Sequence, residues 1–339
     1  MRGIRKISLL ILLFLIIDII FIPKILADSY SSNSLEKMII VSKNDGDFLY
    51  IQEAIDNAPI GSIIFIKKGI YNEILNINKK LTIVGENRFT TIINPTSEEN
   101  KYAIKLGVSD IIIKNLSISN SAKGIYTTGI RVNADKTKIL DCNIYENPIG
   151  VAIFSNENII DDCMFWNCRD EGIALIGTKI SKCDYNVISN CTFFNNCDGI
   201  ELQFSSDNLI ENCSIYNNSH SGIDAIISSN NRNLIKKCKI YDNNVNGIYL
   251  SSSFDNEIIK CIFWNNSDGN IIISNDSITN IIIDNEEIEF SNQNDKLIDL
   301  NIENNEDLKN NDITNNNYFN SIIEIILEII PFLKTLLRS

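Results

Sequence analysis

Histidine is almost missing from this chain: His220 is the only one in 339 residues, and Met38 and Met164 are the only methionines besides the initiator. A copper site built on imidazole or thioether ligands is therefore disfavoured, because the soft and borderline donors it needs are scarce outside the thiols. Positive charge is also short. Thirty Lys and Arg face forty-three Asp and Glu, for a formal net charge of −13. So acidic a surface argues against nucleic acid or anionic lipid as partner, since both are held by basic side chains. The Leu-x-x-Leu-x-Leu spacing of leucine-rich repeats is missing as well, although the chain repeats at a compatible period.

What is present begins with MRGIRK, a basic start, followed by ISLLILLFLII and then IPKILADS. That is the layout of a secretory leader over residues 1–27, with cleavage expected after Ala27. The alternative is an uncleaved N-terminal anchor, which Asp18 would make costly at bilayer depth. Either way the body of the chain is expected outside the cytoplasm, secreted or at the cell surface. Losing the leader removes four basic residues and one acidic one, so the remainder is more acidic still.

One phrase is written six times: DCNIYEN, DCMFWNC, NCTFFNN, ENCSIYNN, KCKIYDN and KCIFWNN. Its cysteines, Cys142, Cys163, Cys191, Cys213, Cys238 and Cys261, recur every 21 to 28 residues. A second marker keeps step, a glycine opening an alternating apolar run: GIRVN, GVAIF, GIALI, GIELQ, GIDAI and GIYLS. The one long interval coincides with an insertion, GTKISKCDYN at 177–186. Three short β-rich runs per repeat with Asn-rich corners predict an all-β parallel β-helix, a solenoid whose coils stack about 4.8 Å apart over residues 96–290. Cys and the Ile or Phe two residues on alternate inward, so the cysteines read as small buried hydrophobes. The doubled asparagines mark corners, where Asn tolerates left-handed dihedrals and its amide can bond the Asn above and below. Cys168 and Cys197, just before their glycines on successive rungs, are the candidates for a disulfide.

The N-terminal region, 28–95, differs. It carries IQEAI at 51–55, a helix expected over 49–57, then AP and Gly61, GIYNE at 69–73 and LTIVGENRFTTII at 81–93. Such a helix would plug the open end of a coil that has no neighbouring rung. This segment resembles the N-terminal cap and first coils of pectin methylesterases and of the NosD-like and pectate-lyase-like β-helix families. The resemblance implies a right-handed solenoid and a polysaccharide as partner. The esterases' QDTL and DFIFG stretches should fall where this chain has ENPIG (146–150) and DEGIALIG (170–177). Only Asp170 could stand in there for a catalytic carboxylate. NosD-like proteins imply copper, which the shortage of His and Met speaks against.

Two candidate surfaces follow from the repeat itself. Two residues beyond each glycine, alternation turns Arg131, Ala152, Ala174, Glu201, Asp224 and Tyr249 outward. Glu201 and Asp224 would be vertical neighbours, joined by Gln203 and by His220 from the Asp224 rung. Two carboxylates that close raise one pKa, so the set reads as an acid–base pair or a Ca²⁺ site, with a solvated acidic face as the plain alternative. The second surface is the column Tyr145, Trp166, Phe194, Tyr216, Tyr241 and Trp264, also outward. It reads either as a platform for sugar rings or as structural stacking. The functional expectation is a carbohydrate-binding or envelope β-helix without turnover. The alternative is a lyase, hydrolase or esterase acting on an acidic polysaccharide through Glu201, Asp224 and His220. Residues 291–318 are polar and acidic, a linker or fraying last coil. Residues 319–339 read as an amphipathic helix bent at Pro331, a lid, an envelope-docking element or a self-association contact.

Overall fold

A computed structural model describes residues 37–95, 102–119, 124, 127–226 and 229–288. The expected leader at 1–27, the polar stretch at 291–318 and the helix at 319–339 lie outside the described residues. Among the described residues the chain winds into three parallel sheets of eleven, ten and nine strands. Each coil contributes one strand to each sheet in turn: Ile159–Asp161, Met164–Trp166 and Glu171–Ile176, for example. The next coil repeats them as Val187–Ser189, Thr192–Phe194 and Asp198–Gln203, paired residue for residue.

The interior is a stack of Ile, Leu, Val and Phe, with all six repeat cysteines among them and none more than 1% exposed. Burial pushes the Cys142 and Cys163 thiols well up from their ordinary range, so they stay protonated and act as apolar filler. The nine cysteines are unpaired. The Cys168–Cys197 disulfide expectation is thus not met, and the register explains why. Cys168 occupies the corner position that Asn196 takes on the next coil, its N–H donating to Asn196 Oδ1 at 3.0 Å. Cys197 comes one residue later and donates instead to the Asp170 carbonyl. The two thiols stand in adjacent columns. In the 177–186 insertion, Cys183 turns into the core while Ile180 is 97% exposed.

The corners divide the work of the doubled asparagines. The first residue takes a positive φ: Asn195, Asn217 and Asn265, with Glu146, Asn167 and Asp242 on the other coils. The second is buried and joins a ladder. Asn196 donates its backbone N–H and its side-chain amide to Asn218 Oδ1, and Asn218 does the same to Asn243 and Asn243 to Asn266. A second ladder of the same kind runs through Asn158, Asn186, Asn208, Asn233 and Asn256 to Asn280, at the corner entering the eleven-stranded sheet. Each amide satisfies a backbone N–H that the turn would otherwise leave buried and unpaired.

Near the N-terminus a helix runs Ile51–Asn57 and buries Ile51, Ala54 and Ile55. Its first N–H groups need acceptors, and the Glu73 carboxylate takes Ile51 and Gln52 at 2.9 and 3.0 Å. The GIYNE motif therefore ends in a helix cap supplied from the neighbouring coil.

Replacing Asn208 by Ala strands partners on both sides of its ladder. It should lower unfolding stability by about 1–3 kcal/mol, whereas Asn244→Ala at an exposed corner should cost less than about 0.5 kcal/mol. Urea unfolding followed by circular dichroism compares the two.

Candidate functional site

Strict alternation fails at the repeat glycines, and that failure builds the site. In Asp198–Gln203 both Gly199 and Ile200 lie toward the interior: a Cβ on Gly199 would fall 2.5 Å from the Gly222 carbonyl oxygen and 2.6 Å from Ile215 Cγ2. Residues on either side of that step, Asp198 and Glu201, consequently both leave the core. The same holds for Glu171 and Ala174 one coil earlier, and for Ser221 and Asp224 one coil later. Lower on this outer face, Ile149, Ala152 and Ala174 form a small apolar cluster of their own. Arg131 closes it, its guanidinium carbon 4.1 Å from the centre of the Phe154 ring.

Glu201 and Asp224 are register partners, as the repeat predicts. They are turned outward yet only 6% and 4% exposed, so this is not a solvated acidic face. Gln203 Nε2 donates to Glu201 Oε1. His220 reaches the cluster through Nδ1, 2.8 Å from Asp198 Oδ1 and 3.6 Å from Asp224 Oδ2. The Ser221 N–H holds the same Asp198 oxygen at 2.7 Å. Tyr249 stands above Asp224 in the ladder, half-buried.

Asp198, Glu171 and Asp170 complete the cluster; Asp170 was singled out only as a stand-in for an esterase carboxylate, and the other two not at all. The signal for Asp198 and Glu171 is a carboxylate immediately before the glycine in DEG and CDG, which strict alternation would have turned inward. Burial pushes Glu171 up to about 9, with the neighbouring Glu201 and Asp170 adding to the effect. Burial also raises Asp224, to about 7, helped by Asp198 and opposed by His220. Asp198 and Asp170 move up for the same first reason. For His220, partial burial works against the cation, but the Asp198 hydrogen bond and charge outweigh it and raise the imidazole. At neutral pH Glu171 thus keeps its proton.

The aromatic column lies on the outer face of another sheet, the ten-stranded one, so the two candidate surfaces are not brought together. Its rings stack on one another in unbroken series. Tyr145–Trp166, Trp166–Phe194, Phe194–Tyr216, Tyr216–Tyr241 and Tyr241–Trp264 have centroids 3.9–5.9 Å apart and planes within 12° of parallel. Along the column the ring faces are turned to each other, and it is the edges that meet the surroundings.

Over residues 81–196 and 174–288 the chain matches the family described as right handed beta helix region, and it belongs to that family. It is 26% identical over 180 residues to a probable pectinesterase of Arabidopsis thaliana, a match spanning 46% of this chain and 62% of that protein. The chain thus aligns with less than two thirds of that relative's length. By fold it resembles a rhamnogalacturonan lyase, with a TM-score of 0.59, 14% identity and coverage of 75% of this chain and 89% of the other. A pectate lyase gives a TM-score of 0.54, 15% identity and coverage of 74% and 81%. At the two esterase stretches, ENPIG offers no carboxylate at the sheet position, where Ile149 stands, and DEGIALIG brings Asp170 and Glu171 into the cluster.

Glu171 binds a proton in the folded chain between its ordinary value near 4.5 and about 9, where the unfolded chain has lost it. Stability contributed by this group therefore falls as pH rises across that window. Urea midpoints at pH 5 and pH 8 should drop with rising pH in the parent chain, and Glu171→Gln should make the drop shallower.

Proposed function

We propose that the chain is an exported or surface-located β-helix protein that binds a polysaccharide on the outer face of its nine-stranded sheet. The observation that carries this reading is the gathering of Glu171, Asp198, Glu201 and Asp224 on three successive coils of a face whose plain alternative, a solvated acidic surface, their burial excludes. Carboxylates held side by side accept paired hydrogen bonds from neighbouring sugar hydroxyls, and a protonated Glu171 can donate one. Gln203 adds an amide at the edge. The helix Ile51–Asn57 serves as the cap of the N-terminal end, protecting the first coil's apolar residues from water. Kinship with a pectinesterase and the fold shared with polysaccharide lyases support a polysaccharide as ligand.

Binding without turnover is favoured by the departures at ENPIG and DEGIALIG. The second reading, a polysaccharide-modifying enzyme, is favoured by one observation: Glu171, held protonated to about 9, beside the register of Asp198 and Glu201. A carboxyl kept neutral at neutral pH is what proton donation in catalysis requires.

A glycan-array screen of the chain, followed by product analysis on each hit, tests both readings. The expected result is saturable binding with the polysaccharide unchanged, weakened at least tenfold by Glu171→Gln with Glu201→Gln. Shortened, unsaturated or de-esterified products would establish the enzyme. Binding untouched by that double change but lost in Tyr216→Ala would move the site to the aromatic column.

A further inference from the structure

We propose that Asp198, His220 and Asp224 form a binding site for one divalent transition ion of the zinc type. One donor atom from each residue lies within 4.8 Å of those of the other two, a combination of one imidazole nitrogen and two carboxylate oxygens. Tetrahedral zinc with bonds of about 2.0–2.1 Å places neighbouring donors about 3.3 Å apart. The separations from His220 Nδ1, 2.8 Å to Asp198 and 3.6 Å to Asp224, bracket that value.

A second, independent observation points to a ligand. Asp224 is 4% exposed, and its Oδ1 is buried without a hydrogen-bond partner among the described residues. The parallel ladder fixes the backbone of Asp224 between Glu201 and Tyr249. A buried carboxylate oxygen left unpaired is costly, and a bound cation removes the cost. Asp198 is held as firmly, through the Ser221 N–H. His220 is the opposite case, its side chain 44% exposed, which gives an ion a way in and leaves a coordination position open to water or a sugar hydroxyl.

The imidazole decides which ion. Calcium takes six to eight oxygens, and magnesium a near-octahedral oxygen shell, whereas a site of one nitrogen and two carboxylates suits zinc. The site keeps Asp224 of the Glu201–Asp224 pair read from the repeat as a calcium site, with Asp198 and His220 in place of Glu201. It stands apart from the polysaccharide reading, because metal binding is measured with no glycan present.

The full chain, stripped with EDTA, is titrated with Zn²⁺ by calorimetry in parallel with Ca²⁺ and Mg²⁺, and with Co²⁺ by absorption. Expected are one zinc per chain, calcium binding at least 100-fold weaker, and losses of at least tenfold in His220→Asn and Asp198→Asn. Cobalt should give the visible bands of a tetrahedral site without the thiolate charge-transfer band that cysteine ligation would add. Zinc binding unchanged in His220→Asn, calcium preferred over zinc, or no saturable zinc binding would each overturn the proposal. Should a substituted chain fail to fold, the cobalt spectrum of the parent protein decides, since thiolate bands or octahedral ones are incompatible with this ligand set.

Discussion

Backbone hydrogen bonds between successive coils, running parallel at about 4.8 Å, place every other group in this molecule. Because the register is exact from coil to coil, each side chain sits above and below its own equivalents. The fold therefore forces like onto like. Isoleucine on isoleucine fills a core, and Phe165 on Phe193, 4.7 Å apart, does so with aromatic stacking added. Asparagine on asparagine is better still, since each amide has both a donor and an acceptor to pass along the column. Thiols stack as neutral, polarisable filler.

Carboxylates are the exception. Glu171 over Asp198 and Glu201 over Asp224 gain nothing from stacking and repel when ionised. Burial first, and neighbouring carboxylates second, raise the proton affinity of Glu171 and Asp224, and each keeps a buried oxygen without a partner. The chain obeys the ladder rule in its core, its corners and its aromatic column, and breaks it on three consecutive coils of one face. The single histidine falls at that place too.

The aromatic column shows the rule's other side. Six rings in register satisfy each other so completely that stacking stability and a sugar platform compete for the same ring faces. The carboxylate face has no such internal use.

Reading the repeat alone determined the solenoid, the buried thiols, the asparagine corners and the pairing of Glu201 with Asp224, because all of these follow from period and register, which are properties of spacing. It also identified His220 and Gln203 as neighbours of that pair. Tertiary structure alone decided three things. Asp198 and Glu171 joined the site because the inward glycine step interrupts alternation, a consequence of how closely one coil's carbonyl approaches the next. Cys168 and Cys197 stayed apart because their columns differ by one residue. The carboxylates proved buried because exposure depends on what the neighbouring coils and turns place around a side chain, and spacing along the chain carries no measure of that.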